Sequence, residues 1–305
     1  MRILLQIFAV MLLASVVAPA QQASDPKFSA KVRAPAYAHG QGPLVMIDEA
    51  HHNYHTAAGR YAAFADLLRR DGYRVDSSRS TFAKEQLQKV DVLVIANALH
   101  ESNRTSWTLP TPSAFTVAEI RVVSDWVNQG GSLLLIADHM PFPGAAAALG
   151  KKFGFTFGNG YARGPDEGIF RKSEGLLKNH PITIGRSKSE VITEVRTFTG
   201  QAFQATGEAM PLLVFGAGHS MLLPQQANKF TENTPSLKVD GWLHAAARRF
   251  GRGRIVVFGE AAMFSAQISG GAKKPMGMNA PGAEQNRQLC LNVLHWLSGL
   301  LEPKP

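Results

Sequence analysis

Leu133-Leu134-Leu135-Ile136-Ala137-Asp138-His139-Met140-Pro141 is a run of apolar residues that stops abruptly at an acid and a histidine. Three other apolar runs stop in the same way. Val45-Met46-Ile47 ends on Asp48-Glu49, Val92-Leu93-Val94-Ile95 runs up to Asn97, and Ile255-Val256-Val257-Phe258 runs up to Glu260. Short continuous apolar runs suit strands buried on both faces, as in a parallel sheet. Ligands bind such sheets outside the carboxyl ends of the strands, so these polar ends mark the expected site.

The segments between the runs carry helix signals. Tyr61, Phe64, Ala65 and Leu68 share one helical face, with Arg69-Arg70 in the last turn and Gly72 closing it. Thr116 and Glu119 have the spacing of a capping box, flanked by Phe115 and Ile120 as a hydrophobic staple. Strand, helix, strand, helix, strand with short connections predicts an α/β fold. Right-handed crossovers then give a mostly parallel sheet with helices on both faces, a flavodoxin-like three-layer sandwich. Residues 161–210 are polar with some alternation and suggest an antiparallel edge or insertion. Trp242–Phe250 suits a short helix or a strand, Ser269–Gly282 a mobile Gly-rich loop, and Glu284–Leu300 a closing amphipathic helix.

Residues 1–20 have the pattern of a signal peptide. Arg2 precedes an apolar stretch, and Ala18-Pro19-Ala20 fits a small-x-small cleavage site. The folded part is therefore expected to be exported, to the periplasm or the medium, with no transmembrane span after cleavage. Polar residues 21–42, with Pro and Gly, suggest a linker, and residues 43–300 suit one α/β domain. At 45% hydrophobic and 18% charged, the chain can bury a core and is not disordered. Arg2 is the one charge in the leader, so its removal takes the formal +9 to +8. That charge is scattered, without the aromatic-basic interleaving of single-strand binders, which argues against nucleic acid. A small molecule or an envelope protein is the expected partner. Cys290 is the only cysteine, so no internal disulfide can form, and its place among Leu289, Val293 and Trp296 suits a buried apolar role.

Several residues could carry chemistry. His51 and His55 are four apart, which on a helix could grip a metal together with Asp48. His52 stands where a zinc protease needs a glutamate, so that reading fails on its general base. Asp138-His139 follows a buried strand at the turn where α/β enzymes place a nucleophile, but neither Ser nor Cys is there. Asp138 could act as acid-base group or metal ligand, or simply cap the next helix. Gly216-Ala217-Gly218 lacks the third glycine of a dinucleotide loop and suits a tight turn, so no motif names a cofactor. If the four strands are neighbours, Asp48, Glu49, His51, Asn97, Asp138, His139 and Glu260 surround one crevice, with His52, Asn53 and His100 reaching it from loops.

The stretch Gly130-Gly131-Ser132-Leu133 through Asp138, and the closing Gly253-Arg254-Ile255 through Glu260, resemble the class I glutamine amidotransferase-like superfamily, more narrowly its uncharacterised DUF4350 branch. Asn179-His180-Pro181-Ile182-Thr183-Ile184-Gly185 is similar to a stretch of that branch and of trehalose-utilisation-like proteins. The resemblance spans about residues 43–300 and implies the amidotransferase-like fold with its crevice. It does not carry the activity across, because Asp138-His139-Met140 stands where the family places its cysteine. Two expectations follow. One is an exported, non-catalytic binding module for a ligand such as a sugar or for a partner protein. The alternative is a hydrolase using Asp138, His139 and Glu260, with or without a divalent metal.

Overall fold

The computed structural model describes residues 22–165, 168–270 and 272–302. The signal peptide expected over residues 1–20 lies outside them. Nine strands form the main sheet: β1 Leu44–Asp48, β2 Arg74–Ser78, β3 Val92–Ala96, β4 Ser132–Ile136, β5 Phe155–Phe157, β6 Phe203–Ala205, β7 Met210–Val214, β8 Leu243–Phe250 and β9 Gly253–Phe258. Their spatial order is β2-β1-β3-β4-β9-β8-β6-β5, and β7 also pairs with β8. The run from β2 to β9 is parallel, and the remaining pairings are antiparallel. The α/β class is as expected, but the parallel character is confined to one half of the sheet. The helices are α1 Ala62–Arg70, α2 Lys84–Leu87, α3 Val117–Asn128, α4 Phe142–Lys152, α5 Pro181–Ile184 and α6 Asn286–Leu297.

Alternation along the apolar runs builds two cores. Val94, Leu134, Ile136, Val256 and Phe258 face Phe64 and Leu67 of α1 and Leu289, Val293 and Leu294 of α6. Leu93, Ile95, Leu133, Leu135, Ile255 and Val257 face Val123 and Val127 of α3 and Leu149 of α4. Every residue of β3 and β4 is buried, which is why these strands show no polar alternation in the sequence. At roughly 1.5–3 kcal/mol for each buried large aliphatic side chain, the two faces together supply the main drive to fold.

α3 starts at the predicted capping box. The Glu119 amide donates to Thr116 Oγ1 at 3.2 Å, and the Thr116 amide donates to Glu119 Oε2 at 3.0 Å. Thr116→Ala is expected to lower unfolding free energy by about 1 kcal/mol. Urea titration checks this, and an unchanged midpoint would rule the cap out as a contributor.

Two local expectations are corrected, and one left open between helix and strand is decided. Residues 22–42 are a packed strap, not a linker. Ala23–Ser24 pairs antiparallel with Gln267 and Ile268, Ala30 is buried, and Tyr37 meets the edge of Tyr73 at 5.1 Å. An extended strap has no period, so its apolar residues gave no signal. Ala266–Ser269 and Lys274–Gly277 form antiparallel partners in place of the expected mobile loop. Residues 243–250 resolve as strand β8, held between β9 and β7.

Candidate functional site

The carboxyl ends of β1, β3, β4 and β9 lie side by side in that order, and the polar residues there form two hydrogen-bonded clusters, linked where Asn53 Nδ2 of the first donates to the Ala96 carbonyl at 3.3 Å. At the end of β1, His51 Nδ1 lies 2.8 Å from Asp48 Oδ2, and its Nε2 lies 2.8 Å from Glu119 Oε1. Asp48 also accepts from the Ala50 amide and Asn53 Nδ2. His51 is thus clamped between two carboxylates. Burial disfavours its charge, but the hydrogen bonds and charges of Asp48 and Glu119 outweigh burial and raise its pKa. Because Glu119 also completes the capping box, this cluster ties the first turn of α3 to β1. It is an internal brace.

The metal expectation for Asp48, His51 and His55 is corrected here. Residues 51–61 are turns and loop, with α1 beginning only at Ala62, so His51 and His55 do not share a helical face. His51 turns to Glu119, while His55 Nδ1 accepts from Asn97 Nδ2 at 3.2 Å. Among the described residues no group of three His, Cys, Asp or Glu side chains could hold a metal.

The second cluster joins β3, β4 and β9. Asn97 sits just past β3 at φ +51, a left-handed conformation that asparagine tolerates better than most side chains. Its Oδ1 accepts from the Asp138 amide at 2.9 Å, and its own amide donates to the Ile136 carbonyl at 2.9 Å. Asp138 accepts from three donors: the His139 amide at 2.7 Å, Thr199 Oγ1 at 3.1 Å and the Ala261 amide at 3.3 Å. Glu260 is fully buried and accepts from the Ala262 and Met263 amides at 2.8 and 2.9 Å. Burial first, and the Asp138 charge second, push its pKa well above the usual carboxylate range. The Tyr61 hydroxyl donates to the Ala261 carbonyl at 3.1 Å beside them.

The other expected residues have structural partners or are buried. The His139 ring stacks on Tyr161 at 4.4 Å, and its Nδ1 donates to the Met140 carbonyl. Burial pushes the pKa of His55 down to about 3. Glu49 accepts from the Ala57 amide. His52 pairs with Glu101 at the surface, and His100 caps the short turn Glu101–Asn103. The Cys290 thiol is buried and pushed up by that burial, so its thiolate is disfavoured.

Beside Thr199 opens a cavity of about 320 Å³ that the sequence did not announce. Phe170, Phe215, Thr197, Thr199, His219 and His244 are among its lining residues. It sits where β8 and the antiparallel additions meet the Asp138 turn. His244 is 1% exposed and lies between Phe170, stacked at 5.4 Å, and Phe215 at 4.8 Å. Its Nδ1 donates to the Gln201 carbonyl at 2.9 Å, and its Nε2 has no hydrogen-bond partner. Burial pushes its pKa down to about 4, so the ring is neutral. Only the Gly216-Ala217-Gly218 turn before His219 hinted at this place; His244 sits in a run with no motif.

No family model matches the chain, and no curated protein does. Among solved structures it resembles the "mmIFT52 N-terminal domain", with a TM-score of 0.59 at 15% identity over 83% of this chain and 97% of that one. A putative ThuA-like protein from Bacteroides uniformis gives 0.46 at 12% identity, over 88% of this chain and 94% of that one. A cold-adapted beta-galactosidase from Rahnella gives 0.43 at 12% identity, over 84% of this chain but 32% of that one. At these identities the likeness to the mmIFT52 N-terminal domain is one of fold alone.

Proposed function

We propose that this chain is an exported binding module of the glutamine amidotransferase-like superfamily that holds a small polar ligand of the sugar class. The ligand sits at the carboxyl edge of the parallel strands, in the cavity beside Asp138. One observation carries the choice of binding over catalysis. The acids at the strand ends already serve internal donors: Asp48 holds His51 and Asn53, Asp138 holds two amides and a hydroxyl, and Glu260 holds two amides. A general acid or base must instead reach a substrate proton. The missing cysteine at the Asp138 turn points the same way, while phenylalanines and a few placed polar groups suit a small-molecule pocket.

Calorimetry of the purified chain against mono- and disaccharides is expected to show saturable binding without turnover. Hydrolysis of a chromogenic ester or glycoside that disappears in Asp138→Asn would overturn this reading in favour of the hydrolase. Export rests on the leader pattern of residues 1–20. Mass spectrometry of the exported protein is expected to show a start near Gln21; an intact Met1 would refute cleavage.

A further inference from the structure

We propose that His244 is the recognition group of the cavity and accepts a hydrogen bond from a hydroxyl group of a neutral, sugar-like ligand. This rests on the binding reading above and adds the atom that selects the ligand. The tautomer follows from the partner of Nδ1. The Gln201 carbonyl can only accept, so the Nδ1 proton is committed there and Nε2 carries a lone pair. No described group meets that lone pair. A buried acceptor left without a donor costs about 1–3 kcal/mol, and such orphans call for an explanation. A ligand hydroxyl is that explanation here, because the ring belongs to the cavity lining.

The surroundings narrow the ligand further. His244 cannot swing away to satisfy itself, since Phe170 and Phe215 pack against the ring. A Cβ at Gly200 would come within 2.5 Å of His244 Cε1, so the backbone also confines it. A neutral imidazole with an unpaired lone pair repels an anion and welcomes a donor. Phe170 and Phe215 add apolar surface to the lining, which suits the C–H groups of a sugar ring. Thr199 is solvent-exposed and ties the cavity to Asp138 at 3.1 Å. The volume of about 320 Å³ lies at the small end of ligand pockets and suits a single sugar unit.

The test follows the imidazole nitrogens of the full chain labelled with ¹⁵N-histidine, titrated with glucose, galactose, mannose and myo-inositol, and with acetate and phosphate for comparison. One of the neutral probes is expected to move the His244 Nε2 resonance upfield in a saturable way, with the anions inert. His244→Phe retains an aromatic ring but loses the acceptor, so affinity for that probe should fall roughly tenfold or more. If a neutral probe binds while Nε2 stays put, or the Phe variant binds as tightly, the role of His244 is refuted and the binding reading stands. Anions binding in preference to the neutral probes also refute it. If no probe shifts any resonance, the binding reading for sugars falls, and the His244 proposal falls with it. The wild-type titration decides the matter even if His244→Phe does not fold.

Discussion

Asp71→Ala is expected to cost several kcal/mol of unfolding free energy, because it leaves two buried hydrogen-bonding groups without a partner at about 1–3 kcal/mol each. Asp71 Oδ2 lies 2.7 Å from His295 Nε2, and both side chains are completely buried. Asp71 Oδ1 accepts from the Ala36 amide at 2.9 Å. One carboxylate therefore joins the end of α1, the core-facing side of α6 and the strap formed by residues 22–42. Tyr37 and Tyr73, each within 3.2 Å of Ser298 Oγ, reinforce the same junction. Alanine leaves His295 Nε2 and the Ala36 amide without partners, and the buried His295 ring cannot turn to water instead. Urea unfolding of Asp71→Ala, His295→Leu and the double variant separates pairing from burial. The double variant should lose less than the sum of the two single variants. A loss under about 1 kcal/mol in Asp71→Ala would mean that the junction holds without these hydrogen bonds.

Glu260→Gln is expected to change the pH dependence of stability more than its level at acid pH. The folded-state pKa of Glu260 is raised well above the ordinary 4.5. Below the unfolded value the group is protonated in both states and its favourable burial is fully present. As pH rises past 4.5, the unfolded chain ionises while the fold keeps the proton, so stability is lost until the folded value is passed. The slope is about 1.4 kcal/mol per pH unit. Glutamine mimics the neutral carboxyl and does not titrate, so the variant should gain on the wild type at that slope above about pH 4.5. One lost acceptor for the Ala262 or Met263 amide shifts the whole curve down by about 1 kcal/mol. Denaturation from pH 4 to 8 measures the difference. Parallel curves would place an ionised carboxylate in the fold. His51 works in the same sense, since its raised pKa gives stability present below the unfolded value and lost as pH rises through the folded one. Glu119, with a lowered pKa, contributes above its unfolded value and loses that contribution as pH falls through the folded value. Comparing the variant with wild type cancels both.

The sequence by itself determined the elements whose signals are local. Val92–Ala96 and Ser132–Ile136 stand out as apolar runs because burial on both faces leaves no room for polar alternation. Thr116 and Glu119 mark a helix start because the cap is closed within four residues. Cys290 lies on an apolar helix face and is buried. Tertiary structure alone decided what the acids and histidines do, because their partners are distant in the chain. Glu119, 68 residues away, turns His51 from a candidate metal ligand into part of a brace. Thr199 and Ala261 occupy Asp138 from 61 and 123 residues away. His244 precedes Ala245-Ala246-Ala247, a stretch that suits helix and strand alike. Only pairing with β9 and β7 makes it a strand, and only the Gln201 carbonyl, 43 residues back, fixes its tautomer and leaves Nε2 as a lone acceptor in a cavity. Hydrogen bonds and desolvation act through space, so the chemistry of these side chains is set by contacts that no local spacing encodes.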